Sequence, residues 1–284
     1  MSERYEAAKP SAARRADAAG GHGPETAPLL RKRRGPAPEH VQVNRGLTEM
    51  PYAYSVEPAR SHFPLRLARY AALAETIAEA ASARQPERPM RLLDVGAGRG
   101  RSLRYTEAFG VADRAEWHGI DLESHRVYKP ERWASLRDVN VEDGLPFDDA
   151  AFDFAVCEQV LEHLERPGPV LGEMRRVLRP GGRLVAGVPV FPGPIAALRR
   201  GLFSGPARAL GLKTGHPQTF SAKSFAALIA GSGFKVDEVR GFRIVSGGPF
   251  RPFESRAGWY TLNRKIGRAA PGLCIEVQVL ATRT

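Results

Sequence analysis

Cysteine is almost missing from this chain of 284 residues, which holds only Cys157 and Cys274. Two are too few for a disulfide framework and they form no C-x-x-C motif, so a disulfide-stapled scaffold is excluded and a reducing compartment is expected. Long apolar runs are lacking as well. The most apolar stretch, Leu184 to Leu198, is interrupted by Pro189, Pro192 and Pro194, which excludes a membrane-spanning helix there. No charged start followed by an apolar core opens the chain, and the expectation is a soluble, cytoplasmic protein. No internal repeat occurs, so repeat architectures are excluded. What remains, with 43% hydrophobic residues, suits a soluble globular domain.

Acidic residues are in deficit, and the formal net charge is +11. The excess is local. Residues 1–45 hold nine Lys or Arg against five Asp or Glu, residues 191–215 hold four with no acid, and residues 251–268 hold five against Glu254. The first stretch is rich in Ala, Pro and Gly without sustained periodicity, and cannot bury enough apolar surface to offset its ordering entropy. It reads as a disordered basic tail, residues 1–45, ahead of one domain, residues 46–284. Its Arg31-Lys32-Arg33-Arg34 cluster reads as a solvated charge run, with contact to nucleic acid or an anionic membrane as the alternative.

The most informative stretch is Leu92-Leu93-Asp94-Val95-Gly96-Ala97-Gly98-Arg99-Gly100. It reads as a buried strand closed by an acid, a glycine turn and a helix start, and the glycines let the backbone approach a ligand. A dinucleotide fingerprint, G-x-G-x-x-G, would need its third glycine at position 101, where Arg101 stands. A strand-closing carboxylate also suits an ammonium better than a pyrophosphate.

The pattern D-x-G-x-G-x-G after an apolar strand resembles motif I of the class I S-adenosylmethionine-dependent methyltransferases. Further pieces resemble the same family in the same order: Ala115 to Asp121 as a second strand ending in an acid, and Leu136-Arg137-Asp138-Val139-Asn140 through Leu145-Pro146-Phe147 after a third. Phe152 to Cys157 resembles the fourth strand, and Glu158 to Leu164 the loop and helix start after it. Val177 to Val185 resembles the family's helix, Pro-Gly-Gly turn and fifth strand. The resemblance covers roughly residues 88–240. It implies an α/β fold: a doubly wound, seven-stranded, mostly parallel sheet, the Rossmann-like methyltransferase fold, with an antiparallel last strand. Two basic insertions, Phe191 to Gly215 and Gly241 to Pro271, then emerge at the carboxyl ends of strands and are expected to form an acceptor lid.

Other elements follow from spacing. Tyr70, Ala71, Ala74, Ile77, Ala78 and Ala81 mark a helix of about five turns beginning near Leu67. A helix after Gly100 can stop at Gly110. Another helix is expected over Ser221 to Ala230, a sixth strand from Phe234, and a last strand near Cys274 to Ala281. Trp259, Leu262 and Ile266 give residues 256–268 an amphipathic pattern with a cationic face, read as part of the lid or as a peripheral membrane contact.

The resemblance implies S-adenosylmethionine as cofactor. It places Asp94 at the ammonium, the backbone of Gly96, Ala97, Gly98 and Gly100 along the methionine moiety, and Asp121 with Leu122 at the ribose. Asp138 with Val139 falls at the adenine, and Cys157 and Glu158 beside the cofactor at the end of strand four. The general base is read as His163 or His216, since histidine titrates near neutrality. Some relatives bind a divalent metal through E-x-x-E-H at this helix; here the pattern reads Gln159-x-x-Glu162-His163. The neutral amide weakens a hard-cation site, and no metal is expected. The expected activity is O-methylation of a small molecule or glycan, anionic or lipid-linked acceptors included. The alternatives are methylation of a nucleic-acid end and a non-catalytic S-adenosylmethionine-binding module.

Overall fold

The computed structural model describes residues 64–83, 88–191, 217–244, 250, 253 and 257–284. The apolar run before the glycines forms β1, Met90–Val95, at the centre of a seven-stranded sheet. Leu92 and Leu93 are both fully buried, but in different cores, one on each face of the sheet. That is the period of two expected of a strand covered on both sides.

The chain steps outward from β1 to β2 (Ala115–Asp121) and β3 (Trp133–Asp138), then returns to the other side of β1 as β4 (Phe152–Glu158) and β5 (Leu178–Pro189). With β6 (Phe234–Phe242) and β7 (Glu276–Arg283), the order is β3-β2-β1-β4-β5-β7-β6. β7 runs antiparallel to both β5 and β6, as the expected fold class requires. The strand order reverses between β1 and β4, so the carboxyl ends of these two strands flank the crevice where open α/β sheets bind ligands.

The helices are α1 (Pro64–Ser82), α2 (Arg101–Ala108), α3 (Pro167–Val177), α4 (Ala222–Gly231) and α5 (Ala257–Ala269). Residues of α1, α2 and α5 pack on one face of the sheet, and those of α3 and α4 on the other. α1 extends slightly beyond its expected span, and its rings join it to α2 through a Tyr70–Tyr105 stack at 4.5 Å. α2 ends at a Phe109 cap followed by Gly110 at φ 72°, as its sequence suggests. Ser221 caps α4 in a reciprocal box with Ser224.

Two local expectations change. The segment after β4 does not begin a helix: Leu161–His163 is a single 3-10 turn, and α3 starts only at Pro167, where a missing N–H costs nothing. α5 exists, but turned about its axis. Its buried positions are Tyr260, Asn263 and Gly267, while Leu262 is exposed. Arg264 forms a two-pronged bond to Glu75 of α1 at 3.0 and 2.6 Å, and Asn263 Oδ1 accepts the Ile244 N–H. Gly267 lies so close to Gly241 that a Cβ there would overlap its carbonyl. Arg268 approaches Glu75 and Glu238, so two cations of the expected cationic face, Arg264 and Arg268, pair with the body, while Lys265 is exposed.

The remaining insertion residues, 192–216, 245–249, 251–252 and 254–256, lie outside the described residues, as do the tail and all of residues 1–63. Among the described residues, no helix is long and apolar enough to cross a membrane.

Candidate active site

At the end of β1 the chain turns back under the end of β2. The N–H groups of Gly96 and Ala97 both donate to the Ile120 carbonyl at 2.9 Å. The next amide, of Gly98, donates to Asp121 Oδ2 at 2.8 Å. Gly96 adopts φ 73°, a left-handed conformation that side chains disfavour. A Cβ on it would also overlap Val160, in the loop after β4. Position 96 therefore needs glycine twice over, for its dihedral and for contact between the loops of β1 and β4.

A cavity of about 690 Å³ opens over these carboxyl ends, a volume suited to a nucleoside-sized ligand. One wall is the glycine loop with Arg99, Arg101 and Ser102 at the start of α2. Another is Asp121 and Leu122 with Val139 to Glu142, and the opposite end is Glu158, Gln159, Val160, His163 and Leu164, closed by Arg69 and Tyr70 of α1. Leu122 is 71% exposed, so its side chain stands free on the cavity wall.

The sequence-predicted residues divide into three groups. Gly96, Ala97, Gly98, Asp121, Leu122, Val139, Glu158 and His163 line the cavity. Asp94, Gly100, Asp138 and Cys157 do not. Asp94 is buried behind the glycine loop, with Oδ2 lacking a hydrogen-bond partner. Burial pushes its carboxyl up to about 7, opposed by a hydrogen bond from Ser102 and reinforced by the charge of Asp121. Gly100 packs against Tyr128 and Trp133. Asp138 accepts hydrogen bonds from the Ser124 hydroxyl and from its N–H, the latter at 2.8 Å; together they hold its carboxyl below the usual range and fix the turn after β2, and Asp138 does not reach the cavity. Cys157 is fully buried in the core on the α3 side, and burial pushes its thiol well up. His216 lies outside the described residues.

Sequence reasoning missed Arg69 and Tyr70, because the α1 segment was read for its apolar spacing alone. A cation inside an otherwise buried helix face was the available signal. It also missed a buried polar cluster at the end of β4. Glu158 Oε1 accepts from Gln278 Nε2 at 2.6 Å, and Oε2 lies 3.5 Å from Arg69 Nε. Arg69 also reaches Glu276 at 3.3 Å, and Arg243 pairs with Glu276 at 2.7 Å. Glu162 is buried beside this cluster, 3.9 Å from the half-exposed His163. Burial is the main cause pushing the carboxyls of both Glu158 and Glu162 up to about 7. Among the described residues, no three His, Cys, Asp or Glu side chains are grouped to hold a metal ion.

Comparison with known proteins gives a consistent assignment. A family model described as a methyltransferase domain matches residues 93–186, the span from β1 into β5. The chain is 30% identical over 190 residues to an uncharacterized methyltransferase of Mycobacterium sp. (strain JLS), covering 64% of this chain and 70% of that one. Over 102 residues it is 42% identical to an uncharacterized 37.1 kDa protein of transposon TN4556 in Streptomyces fradiae, covering 34% of this chain. That match spans 29% of the relative's length. In three dimensions it resembles the solved CurJ carbon methyltransferase, with a TM-score of 0.53, 17% identity, and coverage of 80% of this chain and 57% of that one. At that identity the likeness speaks for the fold alone.

Proposed function

The chain belongs to the class I S-adenosylmethionine-dependent methyltransferases, and from that membership we propose that it methylates a hydroxyl group of a small molecule or a glycan. The observation that carries the reading is one continuous cavity. It runs from the glycine loop and Asp121 at one end to Glu158, His163 and Arg69 at the other, with room for a nucleoside and a compact acceptor.

The residues present fit the cofactor. The Asp121 carboxylate, already fixed by the Gly98 amide, has lone pairs left for ribose hydroxyls. Exposed Leu122, with Val139 and Val141, offers an apolar slot for the adenine, and Asp138 supports that slot from behind through Ser124. The first turn of α2 has no side-chain cap, and its free amides suit a carboxylate. Asp94, unpartnered at Oδ2, supplies negative charge beneath the loop for an ammonium. When bound, the cofactor supplies a methyl carbon activated by a sulfonium. The chain's own task is to hold the acceptor in line with that carbon and to accept a proton from it.

The lining charges favour a small acceptor over a polyanion. Arg69, Arg99 and Arg101 are matched by Asp121, Glu142 and Glu158, so the described wall is no cationic groove of the kind nucleic acid requires. Incubation with methyl-labelled S-adenosylmethionine and fractionated cell extract tests the reading. Label in a small molecule or glycan is expected. Label in RNA would move the assignment to a nucleic-acid methyltransferase, and cofactor binding with no labelled product in any fraction would mark a binding module.

A further inference from the structure

The end of β4 carries an arrangement that the cofactor alone does not require. Glu158, Gly187, Gln278 and Arg240 stand in register across β4, β5, β7 and β6. The Glu158 carboxylate lies flat over Gly187, where a Cβ would come within 2.7 Å of both its oxygens. Gln278 grips Oε1 at 2.6 Å and also donates to the Arg69 carbonyl at 3.0 Å, tying the start of α1 to the same strand row. Oε2 is buried, makes no hydrogen bond and lies 3.5 Å from Arg69 Nε, on a carboxylate that lines the cavity.

We infer that Glu158, through Oε2, accepts the proton of a hydroxyl acceptor during methyl transfer, with Gln278 and Arg69 as positioning residues. The inference rests on the proposed reading of the cavity. The acceptor oxygen takes the methyl group, its proton passes to Oε2, and the sulfonium leaves as a neutral thioether, so one positive and one negative charge vanish together. Geometry favours Glu158 over His163, whose side chain is 51% exposed against 5% for Glu158. A buried, fixed acceptor of protons acts without first reorganising water. Its protonation is set by the charged groups facing it: Arg69 from α1, Glu276 from β7 with Arg243 behind it, and Asp94 from β1. Burial raises the carboxyl to about 7, where a general base works best near neutral pH, and Arg69 keeps it from rising further.

The test uses calorimetric binding of two probes to the full chain. One is S-adenosylhomocysteine; the other is sinefungin, which carries a protonated amine where the sulfonium bears its methyl. Their affinity ratio isolates the group facing the methyl, because the methionine ammonium near Asp94 is common to both. In the unmodified protein, sinefungin should be preferred about tenfold at pH about 8, the worth of a hydrogen bond to a charged group, and the preference should vanish toward pH about 6. Glu158→Gln should abolish the preference at every pH. Arg69→Met should move its loss to higher pH. A ratio independent of pH in the unmodified protein, or untouched by Glu158→Gln, would overturn the inference. Failure of S-adenosylhomocysteine itself to bind would instead overturn the reading of the cavity.

Discussion

The two halves of the cavity are built in different ways. The glycine-loop half takes its parts from neighbours in sequence: Gly96, Ala97 and Gly98 bond to Ile120 and Asp121, within about two dozen residues. The half at α1 and the far strands is assembled by polar ties over great separations. Gln278 reaches Glu158 across 120 positions, Arg264 reaches Glu75 across 189, and Arg240 bonds the Ala72 carbonyl and Thr76 Oγ1 across more than 160. The first half is a compact loop motif, whereas the second exists only once the sheet is complete. Its contacts are therefore structural and chemical together, and the two halves should fail differently when disturbed.

The largest effect should come from Gly96→Val. The substitution forces a β-branched residue to φ 73° and drives it into Val160. Strain and overpacking together cost about 4 kcal/mol, and S-adenosylhomocysteine binding should be lost even where the fold survives. Denaturant melts paired with ligand titration check both outcomes.

Glu75→Ala attacks the other half. It leaves Arg264 buried without its carboxylate and should cost about 3 kcal/mol, or roughly 6–12 °C of melting temperature. Ligand affinity in the surviving folded protein should stay within about threefold. An equal collapse of binding in both variants would show that the halves are not separable.

A milder effect is expected with pH. Asp94, Glu158 and Glu162 titrate near 7 when folded, above their ordinary values of 3.8 to 4.5, chiefly because of burial. Between those limits the folded chain binds more protons than the unfolded chain, so stability should fall as pH rises. The slope is at most about 1.4 kcal/mol per pH unit for each group. Asp94→Asn should remove one share of it, as urea unfolding at stepped pH would reveal.

How much of this was legible in the sequence follows the same division. The strands and the glycine turn could be read because their signals are local: apolar runs, a closing acid, and glycines where the backbone turns. Asp121 and Leu122 fell on the cavity wall for that reason. Asp138 did not, since nothing local announces that the Ser124 amide will engage its carboxylate. α5 shows the limit best. Its apolar stripe Trp259, Leu262 and Ile266 predicted one buried face, but Glu75 draws Arg264 inward and Gly241 accepts only a glycine opposite it. Those partners lie far away in sequence, so tertiary contacts overrode the helical pattern. Arg69 escaped notice in the same way, its two acids being supplied by β4 and β7.

The central claim, that the cavity over β1, β2 and β4 is an S-adenosylmethionine site anchored by Asp121, is tested most directly by titrating the protein and its Asp121→Asn variant with S-adenosylhomocysteine and with NAD. The account predicts S-adenosylhomocysteine binding to the unmodified chain, weakened by about 1.5–3 kcal/mol in the variant through loss of a charged hydrogen-bond partner, and no binding of NAD. Binding of NAD without S-adenosylhomocysteine, or S-adenosylhomocysteine affinity indifferent to Asp121→Asn, would contradict it.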